Sequence, residues 1–381
     1  MKGSYKNRIP AVVSQFIIAF LFIALYGCGG LKQEKDVAKK YTGEPILLSR
    51  DAYYPLWCGN DALIYILDES THERYVEEEV YRYDIHTGRK FLVGKGSEDV
   101  YIAPMACTPD GKWLVYLNKG SIRHGVLDIW RYETSTGRHE KIAIAHDVVG
   151  FDEGILSPDG KKLFLGKKPD VDIEMPEPKL EIVWSGIGIK NEPSGAVWLP
   201  DSSAVITSIT SYWGRRDRND DIVIEVLNPQ RKTVIFKPDE LSSLNLLFSD
   251  KQGRIYLYFW DSNGKEHISR CNVAPEEKAI SCEDVIVEKD HEVLEFDLFS
   301  DNETVAFTKD DDTCVKAMRI GEKKPYCITP PIDKLGHYIF THKGNIKISP
   351  DDKRLAFVLS RLDDAGEWIS EDLYMIELKK D

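Results

Sequence analysis

Of the seven cysteines, all but Cys28 fall along the chain in three couples: Cys58 and Cys107, Cys271 and Cys282, and Cys314 and Cys327. Paired thiols are therefore the first chemistry the sequence suggests. Cys271 and Cys282 flank Ala274-Pro275-Glu276-Glu277, and Cys314 and Cys327 flank Gly321-Glu322-Lys323-Lys324, so oxidation would join each of two hairpins to itself. Cys58 and Cys107 each lie three residues before an aspartate, Asp61 and Asp110, in equivalent places of consecutive segments. For them a bridge competes with free buried thiols, because a bridge needs Cα atoms within about 7 Å. Even numbers allow complete pairing and fit an oxidising compartment, with ordinary buried cysteine as the other reading of all six.

The residue types that dominate binding hot spots meet once, in Tyr212-Trp213-Gly214-Arg215-Arg216. Tyr212, Trp213, Arg215 and Arg216 are accordingly the binding candidates. The competing reading packs Trp213 under its own loop and pairs the arginines with Asp217, Asp220 or Asp221. No nucleophile elbow, metalloprotease His-Glu pair, glycine-rich phosphate loop or thioredoxin-like cysteine pair occurs. The nine histidines are scattered, so no catalytic residue, metal site or cofactor is expected. A formal charge of −13 repels nucleic acid and excludes it as a partner.

These residues hang on a repeated turn. An aspartate recurs at Asp61, Asp110, Asp159, Asp201, Asp250, Asp301 and Asp351, with clear copies in Thr108-Pro109-Asp110-Gly111, Ser157-Pro158-Asp159-Gly160 and Ser349-Pro350-Asp351-Asp352. In such a turn proline presets φ, the carboxylate accepts from nearby amides, and glycine takes the positive φ that reverses the chain. That role accounts for all seven aspartates without catalysis. Each turn precedes a short apolar run such as Leu63-Ile64-Tyr65, Leu114-Val115-Tyr116 or Leu355-Ala356-Phe357. Runs this short, rich in β-branched and aromatic residues, are buried strands. Further hairpin turns at Thr87-Gly88-Arg89 and Thr136-Gly137-Arg138 complete a four-stranded antiparallel unit.

A unit of this kind repeated every 40 to 50 residues or so is a propeller blade. The expected fold is an all-β propeller of seven blades, with six or eight as alternatives. Closure is expected where Ile46-Leu47-Leu48-Ser49 supplies the strand missing after Leu373-Tyr374-Met375-Ile376-Glu377-Leu378. Long helical periodicity is absent, and the repeats occupy residues 45–381. Binding positions belong on the rim formed by loops between second and third strands and between blades. Asp68–Glu79, Lys167–Lys179, Thr207–Asp221 and Arg361–Glu371 are the longest second-to-third-strand loops, and Tyr338 and Phe340 lie on the last inter-blade connection, where a core role is equally open.

The strings TPDGKWLVY from Thr108, SPDGKKLFL from Ser157 and SPDDKRLAF from Ser349 resemble the PD-type repeat of the TolB-like propellers, without the separate α/β domain that precedes the TolB propeller. The first 28 residues resemble a bacterial lipoprotein leader. Lys2, Lys6 and Arg8 form a basic start, Ile9 to Leu25 carries no charge, and Leu25-Tyr26-Gly27-Cys28 resembles a lipobox. That resemblance implies a signal peptide over residues 1–27, lipidation of Cys28, and a polar tether over residues 28–44. An uncleaved membrane anchor is the alternative. Loss of the leader would leave a mature charge of −16, and Gly29 after Cys28 implies the outer membrane by the enterobacterial sorting rule. The expected function is an envelope-facing scaffold, membrane-held through its lipid, that binds an envelope protein or peptide. The alternatives are a metal-dependent propeller lyase acting on an oligosaccharide and a structural component of an envelope assembly.

Overall fold

Six of the repeated turns place a residue with positive φ at their fourth position: Gly111, Gly160, Ser202, Gly253, Asn302 and Asp352. That geometry returns the chain on itself and sets two apolar strands side by side. The computed structural model describes residues 41–68, 78–96, 100–120, 126–146, 156–165, 180–184, 193–209, 241–250, 252–261, 263–274, 279–288, 293–340 and 345–379. The leader, Cys28 and the hot-spot candidates Tyr212, Trp213, Arg215 and Arg216 lie outside them.

Strand β1 (Tyr41–Ser49) is followed by an antiparallel sheet of β2 (Ala52–Cys58), β3 (Ala62–Asp68), β4 (Glu78–Asp84) and β5 (Lys90–Lys95). The next sheet holds β6 (Val100–Cys107), β7 (Trp113–Gly120), β8 (Val126–Glu133) and β9 (His139–His146). Two strand pairs come next, β10 (Lys162–Leu165) with β11 (Glu181–Trp184), and β12 (Pro193–Trp198) with β13 (Val205–Ile209). Two four-stranded sheets follow. One contains β14 (Leu241–Ser249), β15 (Ile255–Asp261), β16 (Glu266–Ala274) and β17 (Ala279–Glu288). The other contains β18 (Val293–Leu298), β19 (Thr304–Lys309), β20 (Lys316–Arg319) and β21 (Tyr326–Cys327). The last sheet joins β22 (Tyr338–Ile339), β23 (Ile346–Ile348), β24 (Arg354–Leu362) and β25 (Trp368–Leu378), with a short 3-10 helix at Ile332–Leu335 ahead of it.

Sequential antiparallel sheets of this kind, with no α-helix among the described residues, are a β-propeller. One pair departs from the expected unit. β10 and β11 run parallel, Lys162 opposite Glu181, so this repeat is not a plain meander.

The apolar cores lie between sheets. Ile64 and Val80 of one sheet share a cluster with Leu114 and Tyr116 of the next, and Tyr256 and Ile268 share one with Val305 and Phe307. Strands buried on both faces need continuous apolar runs, which is why the second strands of the repeats read as they do. Ring closure follows the same rule. Leu48, Trp57 and Leu63 pack with Ala356, Val358 and Leu373 across the meeting of the chain's two ends. There β1 pairs antiparallel with β25, Ile46 opposite Met375, Leu47 opposite Tyr374 and Ser49 opposite Leu373. The strand starts at Tyr41, ahead of the boundary expected at Pro45, with an irregularity between Thr42 and Ile46. Pro45 within it cannot donate to a further strand, which blunts the outer edge.

Candidate functional site

All three cysteine couples are joined. Cys271 and Cys282 are direct cross-strand partners of β16 and β17, with Cα atoms 4.0 Å apart. Cys314, just ahead of β20, reaches Cys327 on β21 at 5.8 Å. Cys58 and Cys107 end the innermost strands β2 and β6, and their Cα atoms stand 5.1 Å apart. The inner strands converge enough for a bridge, which removes the free-thiol alternative.

The turn aspartates do backbone work. Asp110 Oδ1 accepts from Thr108 Oγ1 at 2.5 Å and from Lys112 N at 2.9 Å, and both interactions hold its carboxyl below the usual range. Asp301 accepts from Glu303 N and Thr304 N, both at 2.8 Å. Asp250 needs a correction of register. The turn bond runs from Gly253 N to Asp250 O, so Asp250 occupies the first turn position and Gln252 the place expected for the aspartate. Its buried carboxylate accepts from Gln252 N and Arg254 N and pairs with Arg254 Nε at 2.5 Å. Asp61 also departs: it is exposed and meets His86 Nε2 at 2.8 Å instead of bracing the turn.

On the opposite rim three connections bound a cleft of about 630 Å³. They are the β19–β20 loop, the β21–β23 connection and the β24–β25 loop, the last inside the expected Arg361–Glu371. Its floor is apolar, with Ile332 and Phe340 buried and Leu362 beside Tyr338. Its walls are acidic. Asp310, Asp311 and Asp312 come from the first loop, Asp333 from the 3-10 helix, and Asp363 and Asp364 from the last loop. No lysine or arginine is among the lining residues described. Two like-charge runs in equivalent loops of adjacent repeats were the sequence signal for this site, and a motif search passes over them.

The walls are braced. Asp312 pairs with Lys316 and accepts from Lys309 N at 3.0 Å, and Thr313 O accepts from Ile332 N at 2.7 Å. Asp363 Oδ1 accepts from Ala365 N at 2.8 Å and Glu367 N at 2.9 Å. The Cys314–Cys327 bridge starts one residue after Thr313 and fixes that loop to its outermost strand. Tyr338 donates its hydroxyl to the fully buried Asp372 at 2.8 Å. Burial, then contacts with Tyr374 and Asp372, push the Tyr338 hydroxyl far above the ordinary tyrosine range, so it remains a donor. Phe340 is core, while Tyr338 is both a cleft wall and an anchor for a buried carboxylate.

Among the described residues, no three of His, Cys, Asp and Glu come close enough together to hold one metal ion. Of the cleft carboxylates, Asp312 is already paired with Lys316, and Asp363 is engaged by the amides of its own loop.

No protein-family model matches the sequence, and no curated protein matches it. Solved structures match by fold. The propeller domain of the Trilobed protease from Pyrococcus furiosus superposes with a TM-score of 0.59 at 13% identity, covering 87% of this chain and 99% of that one. An oligogalacturonate lyase from Vibrio parahaemolyticus gives 0.56 at 11% identity, over 88% of this chain and 93% of that one. An oligogalacturonate lyase in complex with manganese gives 0.53 at 8% identity, over 90% and 99%. Likeness at these identities establishes the propeller fold alone.

Proposed function

We propose that this β-propeller is a cell-envelope lipoprotein, held to the outer membrane through Cys28 and facing the periplasm or the surface, that serves as a binding scaffold for a protein or peptide. The observation that carries the binding role is the rim cleft, in which three connections of the chain surround an apolar floor of Ile332 and Phe340. A concave, apolar floor with polar groups around it is the composition of a binding site. The alternative, a lyase on an oligosaccharide, draws support from the fold shared with the oligogalacturonate lyases. A polyuronate carries repeated negative charge, which these walls repel. The anchor is supported by the basic start, the uncharged run and Cys28 at its end.

Capture tests the scaffold. The full chain in detergent, immobilised, is expected to retain a small reproducible set of proteins from envelope extract and release them as salt rises. Retention of none, together with divalent-dependent cleavage of an oligosaccharide, would put the lyase in its place. The anchor has its own test, since Cys28→Ser is expected to abolish acyl labelling and leave an uncleaved precursor. Normal labelling of that variant would remove the lipoprotein assignment.

A further inference from the structure

Three cations occupy one place in the repeat. The carbonyls of Lys162, Arg254 and Arg354 each accept from the amide that opens the preceding turn, Ser157 N, Asp250 N and Ser349 N, which makes the three positions equivalent. Each side chain then leaves its own blade for a backbone carbonyl in the next turn. Lys162 Nζ donates to Ser202 O at 2.8 Å, Arg254 Nη2 to Asn302 O at 3.1 Å, and Arg354 Nη1 to Asn60 O at 3.4 Å. For Arg354 the next turn is the first in the chain, 294 residues away. Other contacts join the remaining turns. Gly111 lies against Cys58 O beside the Cys58–Cys107 bridge, Gly160 packs on Thr108, Ser249 Oγ donates to Trp198 O, and Ser300 N donates to Asp352 Oδ1 at 2.8 Å. In chain order these contacts run from turn to turn and return to the start, so the turn rim is a closed collar.

We infer that the working joint of this collar is the seam, clasped by Arg354 and Arg361 from the two ends of β24 and strapped by β1, and that the ring opens and recloses there. Both arms of the clasp reach the first sheet. On the turn rim Arg354 holds Asn60 O while its Nε pairs with Glu377 at 2.8 Å. On the opposite rim Arg361 Nη2 meets Asp51 Oδ1 at 3.4 Å. The carboxylates of Glu377 and Asp51 are nearly half exposed, so salt screens both pairs. The joint on the other side of the first sheet is different in kind, because Cys58–Cys107 closes it covalently.

The strap is built to part. Leu48 and Ser49 alone in β1 are buried, and its pairing with β25 is irregular between Thr42 and Ile46 and again between Leu47 and Ser49. Arg50 and Asp51 join it to β2, and Asp51 sits at φ +53, a left-handed conformation that marks a hinge. Reclosure has its own driving force. Leu48, Trp57 and Leu63 pack on Ala356, Val358 and Leu373, and Trp57 Nε1 donates to Lys347 O, so the open ring is a minor population.

Hydrogen exchange on the full chain in detergent tests this, since it reads local opening segment by segment. Raising salt to about 1 M, where the screening length falls to about 3 Å, is expected to speed exchange roughly threefold in β1, in β25 and in the turn around Asn60. The sheet β14–β17 should keep its rate. Arg354→Met with Arg361→Met should speed the same seam segments roughly fivefold at low salt and remove their response to salt. Lys162→Met should instead speed the turn around Ser202 and leave β1 as it was. Should the double variant fail to fold, Arg354→Met alone should speed the Asn60 turn and Arg354→Lys restore most of its protection. Unchanged exchange at the seam in the arginine variants, an equal rise in every sheet, or a salt response that survives in the double variant overturns the inference.

Discussion

Aspartate does two different things in this molecule, and the difference lies in where each carboxylate finds hydrogen. Asp110, Asp201 and Asp301 accept from amides two or three residues downstream. Their carboxyls are all held below the usual range. Asp110 and Asp201 owe this first to side-chain hydroxyls, from Thr108 and Ser203, whereas at Asp301 burial acts the other way and is outweighed by the Glu303 amide together with the hydroxyl and amide of Thr304. The folded state thus binds fewer protons than the unfolded chain in acid, and the stability these groups contribute is lost as pH falls below about 3.8 through their folded values. His139 behaves as a base with the same sign. Its Nδ1 lies 3.0 Å from the Tyr116 hydroxyl, and partial desolvation on that side lowers its imidazole below the ordinary value although the residue is exposed overall. The unfolded chain protonates first, so stability should fall as pH drops below about 6.5 and level off once the folded imidazole is charged. Urea midpoints measured from pH 7.5 to 5 should show this slope, and His139→Gln should flatten it. An identical slope in the variant would assign the effect elsewhere.

Turns and strands were the legible part of the sequence, because their signals are local. Pro-Asp-Gly fixes a turn within four residues, and Leu114-Val115-Tyr116 or Leu355-Ala356-Phe357 advertise burial by composition alone. Asp250 shows the limit: the right residue was found two places early, since an aspartate can brace the turn from its first position as well as its third. The parallel pairing of β10 with β11 leaves no trace in a pattern that reads the same in either direction. The cleft was less legible still. Asp310, Asp333 and Asp363 come from three connections and meet only when the last two sheets pack.

The Cys58–Cys107 bridge belongs to the same class, and one glycine makes it possible. A Cβ on Gly111 would stand 2.7 Å from Cys58 O and 2.9 Å from Gly59 N, at φ +67. The two turns touch backbone to backbone. Gly111→Ala combines a left-handed strain with a clash against atoms that cannot swing away, and should cost roughly 2–4 kcal/mol. Gly137, also at positive φ but with nothing within 4 Å of such a Cβ, should cost only about 1 kcal/mol when changed to alanine. Thermal melts of the two variants check this, and equal losses would mean that the contact between turns is dispensable.

A propeller stands or falls by closure, and here the contacts across the seam go well beyond one strand pair. Trp57 Nε1 donates to Lys347 O at 2.9 Å across 290 residues of sequence. Asp51 N donates to Asp372 Oδ1 at 3.3 Å, and Arg361 meets Asp51 at 3.4 Å and Asp372 at 3.9 Å. Asp372 in turn receives the Tyr338 hydroxyl from the cleft wall, so the seam and the candidate site share one buried carboxylate. Two side chains of β1, two residues apart, separate packing from mere presence. Leu48 is 6% exposed within the closing core, whereas Ile46 is 54% exposed. Leu48→Ala should lower stability by about 2–3 kcal/mol through lost burial and the cavity it leaves, and Ile46→Ala by less than about 1 kcal/mol. Paired urea melts decide the matter, and equal losses from the two variants would show that closure does not depend on the side chain β1 buries.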